Sequence, residues 1–106
     1  MVEGVGECSF LGSAFARARM SGFQGPDLAA NDSMAACLKH YAGYGGVAAG
    51  LDYSAVDISE ATFRDVFLPP FEAGVGAGTL SLMSAFVAII GGIATAIPEI
   101  MVGIHL

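Results

Sequence analysis

From Ala73 to Pro98 the chain carries no charged residue. A backbone stretch of that length without a solvated side chain belongs in a protein interior or in a lipid bilayer. Its length meets the criterion for a membrane-spanning helix, roughly 18 to 25 residues. Many of its positions are Gly or Ala, however, which favours a buried strand extended by a hydrophobic helix and leaves a membrane span as the second reading.

The rest of the chain has to be organised around that apolar segment. With 106 residues it is one small domain or a piece of a larger one. It holds 4 basic residues and a net charge of −6, too few cations for a phosphate-binding stripe, so nucleic acid is excluded as a partner. Cys8 and Cys37 show neither CxxC nor Cys/His spacing, so no zinc site or disulfide framework is indicated. Two buried thiols are expected instead. Nothing calls for a cofactor or a metal. The N-terminus, Met-Val-Glu-Gly, has no basic segment leading into an apolar run, so no signal peptide is visible and the compartment stays open.

Upstream of the apolar segment, helical and extended patterns alternate. Residues 9–21 put Leu11, Phe15 and Ala18 on one face at helical spacing, with Ser9 as a cap and Gly22 and Gly25 as stops. After a polar loop, residues 34–39 read as a short buried strand with Lys39 and His40 at its C-terminal end. Gly43, Gly45, Gly46 and Gly50 then make a flexible loop whose backbone can approach a ligand closely. Ser59 is placed to cap a helix with Glu60 in its first turn and Phe63, Val66 and Phe67 on its inner side. Pro69-Pro70 should kink or restart that helix, which continues through Phe71 and Glu72 toward Gly74.

Three motifs carry a family resemblance. They are Cys37-Leu-Lys-His-Tyr-Ala-Gly-Tyr-Gly-Gly46, Asp52-Tyr-Ser-Ala-Val-Asp-Ile-Ser59 and Leu68-Pro-Pro-Phe71, preceded by Glu3-Gly-Val-Gly-Glu7 and Phe10-Leu-Gly-Ser13. Together they resemble glycoside hydrolase family 3, the retaining β-glucosidases and relatives. The resemblance implies an α/β fold in which Thr79–Phe86 is a second strand of a catalytic barrel. A complete barrel needs about 250 residues, so the expectation is a partial (β/α) barrel with about two parallel strands and three helices. Residues 1–106 then form a single partial domain with a divergent apolar tail at 87–106.

The same resemblance implies the site. Lys39 and His40 match a Lys-His pair that hydrogen-bonds sugar hydroxyls, and Met83 lies on the strand that faces that subsite. Asp52, Tyr53 and Asp57 match residues that hold the intervening loop together. The family's sugar-binding arginine falls upstream of Met1. Retaining hydrolysis requires two carboxyl groups about 5 to 5.5 Å apart. The family's nucleophile is an aspartate in a Ser-Asp-Trp-like motif on the next strand, and its acid/base comes from another segment. Beyond Asp65 the acidic residues are Glu72 and Glu99, neither in such a motif. No catalytic residue is therefore assigned, and the chain is expected to be inactive alone.

Where the family shows a polar loop after Ala-Phe, this chain has Val87-Ala-Ile-Ile-Gly-Gly-Ile-Ala-Thr-Ala-Ile97, with Gly91, Ala94 and Thr95 keeping the pattern. The expected partners are a β-glucoside or oligosaccharide, together with a second copy of the chain or the remainder of the barrel. A self-associating module sealed by the apolar C-terminal segment is the alternative, and a membrane-anchored fragment ranks below it.

Overall fold

The computed structural model describes residues 4–51, 55–89 and 92–93, with the backbone alone at 89, 92 and 93. In chain order the elements are α1 (Ser9–Gln24), β1 (Cys37–Tyr41), α2 (Glu60–Thr62) running into a wide π turn (Phe63–Phe67), α3 (Pro69–Gly76), β2 (Ser81–Ser84), β3 (Ala88–Ile89) and β4 (Gly92–Ile93). β1 and β2 pair in parallel as an open two-stranded sheet, with α3 as the crossover between them. This is the partial α/β architecture expected from the sequence.

The second helical region forms as local chemistry dictates. Ser59 Oγ accepts from the Thr62 backbone N–H at 3.1 Å and starts α2. Pro69 and Pro70 lack N–H groups, so the carbonyls of Asp65 and Val66 lose their helical donors. The chain widens there, with Leu68 N–H donating to the Phe63 carbonyl five residues back at 3.1 Å, and α3 restarts with both prolines in its first turn. Phe63 is buried and Phe67 half-buried against the core, whereas Val66 faces solvent.

α1 departs from expectation in three respects. It runs through Gly22 to Gln24 and stops where Gly25 takes φ 60°. Its N-cap is Cys8, without a side-chain cap, and Ser9 instead accepts through its carbonyl from Ser13 Oγ at 2.8 Å. The face marked by Leu11, Phe15 and Ala18 is exposed, and the buried positions are Gly12, Ser13, Met20 and Gln24. Close approach decided this: a Cβ at Gly12 would lie 3.2 Å from Pro70 Cγ, so the helix docks on α3 through its small residues.

The first strand also differs. It occupies Cys37–Tyr41 rather than 34–39, which places Lys39 and His40 within it, and only Tyr41 is buried. With one strand neighbour and a helix on one face, the other positions keep solvent contact. β2 likewise alternates between exposed and half-buried residues. Both thiols are exposed, contrary to expectation, because Cys8 sits at the helix entry and Cys37 on the uncovered sheet face.

The core lies at the C-terminal ends of the strands: Tyr41, Ala42, Val47, Val56, Phe63, Ala85 and Val87 pack together. The glycine-rich loop over it is built of two 3-10 turns, Tyr44–Gly46 and Ala48–Gly50, tied by an antiparallel bridge between Val47 and Val56. Val56 N–H in turn donates to the Ala88 carbonyl at 3.0 Å. At 88–89 and 92–93 the backbone forms an antiparallel β3–β4 pair, so the expected helix does not begin directly after the strand. Paired glycines and β-branched residues in this run disfavour a helix and suit a hairpin. Residues 94–106 lie outside the described residues. Among the described residues no helix is long and apolar enough to cross a membrane.

Candidate functional site

A parallel register sets the geometry of the site. Cys37 pairs with Ser81, Leu38 with Leu82 and Lys39 with Met83, so Lys39 and Met83 stand side by side on one sheet face. The opposite face meets α3, where a Cβ at Gly74 would come within 2.6 Å of Leu38 Cδ1. A larger residue at that helix position would force the Leu38 side chain to move, and the face bearing Lys39 and Met83 is opposite to the one that meets α3.

After Lys39 the register slips, because Tyr41 pairs with Ser84 and His40 is the extra residue of a bulge. Bulges re-aim side chains at strand ends. The Lys39-His40 and Tyr41-Ala42 peptide bonds in this stretch are cis. Tyr41 turns inward, edge-on to Phe71 at 5.1 Å, and burial raises its hydroxyl pKa above 10.0. His40 lies 4.9 Å from the Tyr44 ring and 6.4 Å from that of Phe86, which is 61% exposed.

Beside β1 lies an open cavity of about 490 Å³ bounded by α1 and the glycine-rich loop, with Lys39, His40, Tyr44 and Arg19 on its wall. No carboxylate lines it among the described residues. Glu72 is exposed on α3, and Asp57 is exposed on the loop before α2. Asp52, Tyr53 and Glu99 lie outside the described residues. No group of three His, Cys, Asp or Glu side chains placed to hold a metal occurs among the described residues. The arrangement offers an ammonium, an imidazole and aromatic surface, suited to hydroxyl recognition and stacking.

Sequence reasoning did not single out Tyr44. A lone aromatic between glycines, four residues after His40, was the available signal, but its meaning depends on the turn at Gly43.

A parallel strand pair with helices packed behind it and polar side chains toward the C-terminal strand ends defines a segment of a β/α fold. Comparison with known proteins narrows this. The family model described as the Glycosyl hydrolase family 3 N terminal domain matches residues 2–104. The chain is 34% identical over 93 residues to a periplasmic beta-glucosidase of Salmonella typhimurium, covering 88% of this chain and 12% of that protein. It is 36% identical over 107 residues to a putative beta-xylosidase of Formosa agariphila, covering 98% and 14%. Among solved structures, a beta-glucosidase from Listeria innocua in complex with gluconolactone superposes with a TM-score of 0.88 at 38% identity, over 92% of this chain and 14% of that one. The chain thus belongs to glycosyl hydrolase family 3, within its N-terminal domain. It spans about an eighth of the length of these relatives.

Proposed function

We propose that this chain supplies the Lys39, His40 and Met83 part of the sugar subsite of a β-glucosidase-like glycosidase, binding the terminal glucosyl unit of a β-glucoside. The 106 residues act as one partial barrel domain that recognises sugar without hydrolysing it. One observation carries the reading: Lys39 and Met83 are register partners, the bulge follows at His40, and Lys39 and His40 share the wall of the cavity beside β1. Lys39 donates to a sugar hydroxyl as a charged group, His40 donates or accepts through a ring nitrogen, and Met83 offers an apolar wall. Support for a glucosyl ligand comes from the Listeria innocua relative, whose structures include complexes with gluconolactone and with glucose.

Hydrolysis with retention needs a carboxylate pair about 5 to 5.5 Å apart across the scissile bond. Glu72 is exposed on α3 and no carboxylate lines the cavity among the described residues, which supports a reading in which this chain does not itself supply the pair. Incubating the purified full chain with a fluorogenic β-glucoside tests this directly. The expected result is no turnover in a folded sample that binds gluconolactone, whereas turnover that survives repurification contradicts it. Glu72 and Glu99 would then be the first carboxylates to replace.

Self-association is a second reading, favoured by exposed apolar side chains on α1. Phe10, Leu11 and Phe15 are 79%, 47% and 41% exposed there, in a patch of the kind that recruits partners. Replacing Phe10 and Phe15 by Ser should convert an oligomer to a monomer in size-exclusion chromatography, and an unchanged elution volume would remove this reading. Deleting residues 87–106 is a poorer test, because it also takes Val87 from the core.

A further inference from the structure

The imidazole of His40 is held by rings. Among the described residues no hydrogen bond or ion pair to it is present, and the groups beside it are Tyr44 at 4.9 Å, inclined by 50°, and Phe86 at 6.4 Å. The two neighbours differ in how they are anchored. Phe86 is 61% exposed, whereas Tyr44 packs against the buried cluster of Tyr41, Val47, Val56 and Phe63. Backbone chemistry helps set the place of Tyr44: Gly43 takes φ 88°, a left-handed conformation that reverses the chain, and Gly46 N–H donates to the Gly43 carbonyl at 2.9 Å to close the turn. The bulge pushes His40 out of the ladder, and the turn brings the ring four residues later back against it.

We propose that Tyr44 is a positioning residue for His40, carrying the rigidity of the core to the imidazole so that its ring nitrogens meet a sugar hydroxyl in a fixed orientation. This rests on the sugar-site reading given above. A histidine with two rotatable bonds loses affinity for each orientation that does not match the ligand, and a tilted aromatic contact removes those orientations. A small Gly43 and an aromatic Tyr44 are both needed, the first to make the turn and the second to reach His40.

Histidine-labelled full chain followed by NMR tests the proposal, with His105→Gln assigning the His40 signals. In Tyr44→Leu the His40 ring protons should move downfield as aromatic shielding is lost, and gluconolactone affinity should fall about two- to tenfold. Tyr44→Phe keeps the ring and should stay closer to the unsubstituted chain on both readouts. A folded Tyr44→Leu variant with unmoved His40 signals overturns the proposal. Should that variant unfold, cross-relaxation between the His40 and Tyr44 ring protons in the unsubstituted chain decides, and its absence overturns the proposal. If the unsubstituted chain binds no gluconolactone, the sugar-site reading fails, while the His40 signals still decide whether Tyr44 holds the ring.

Discussion

The two ends of the parallel strand pair are built from different forces. At the N-terminal ends a hydrogen-bonded clamp joins three segments. The buried Gln24 side chain donates to the Gly78 carbonyl at 2.9 Å and accepts from Ala36 N–H at 3.2 Å, while Thr79 Oγ1 donates to the Ala36 carbonyl at 3.2 Å. At the C-terminal ends the strands rest on an apolar cluster capped by the glycine-rich loop, and there the side chains of Lys39, His40 and Met83 stay accessible. The difference teaches a division of labour: polar side chains hold the strands in register at the lower end, and apolar packing holds them at the upper end, where Lys39 and Met83 stay exposed. β/α barrels place stability and chemistry at the same opposite ends.

The sharpest way to break this contrast is to unmake one end and watch the other. Phe63→Ala empties the centre of the upper cluster and should cost about 3 to 5 kcal/mol, enough to unfold a domain of this size, as read by chemical denaturation. A loss under 1 kcal/mol would mean the upper cluster is not the core. Lys39→Ala should act on the ligand, weakening gluconolactone affinity by about ten- to a hundredfold, the worth of a charged hydrogen bond. Gln24→Ala should do the reverse, lowering stability by about 1 to 3 kcal/mol through two stranded backbone groups and leaving affinity in the folded fraction intact. If Gln24→Ala weakened sugar binding as much as Lys39→Ala, the two ends would not be separable.

Smaller effects sharpen the picture. Ser59→Ala should cost about 1 kcal/mol by removing the cap of α2. Tyr41 gives a pH signature: burial raises its pKa in the folded state, so stability is fully present below the unfolded value of 10.0 and falls as pH rises toward the folded one. Alkaline denaturation of Tyr41→Phe should lack that fall. The exposed Glu60–Arg64 pair at 2.8 Å should matter least, with Glu60→Gln changing stability by about 0.5 kcal/mol or less.

Where local chemistry decides, the sequence was readable. Ser59 as a cap and Pro69-Pro70 as a restart depend on nothing beyond their own turn, whereas the two parallel strands were expected from the family resemblance of the motifs around Lys39 and Met83. Burial was not readable, because it depends on neighbours: β1 and β2 show solvent on most positions since each has a single partner strand. The packing face of α1 was hidden for another reason, as Gly12 and Ser13 dock by allowing close approach and contribute little to an apolar stripe. An uninterrupted apolar run has no period to separate strand from helix, so the β3–β4 pair after Val87 could not be told from a helix. The contact between Tyr44 and His40 depends on the bulge and on the sign of φ at Gly43, neither of which is written in residue type alone.

The most direct single test is a titration of gluconolactone into the isotopically labelled full chain, following backbone amide signals. Binding through the upper end of the strand pair predicts saturable shifts concentrated at Lys39, His40, Gly43, Tyr44 and Met83, with Gln24, Ala36 and Gly78 unmoved. Shifts absent altogether, or centred on the lower clamp, would contradict the assignment of the sugar subsite to this end of the sheet.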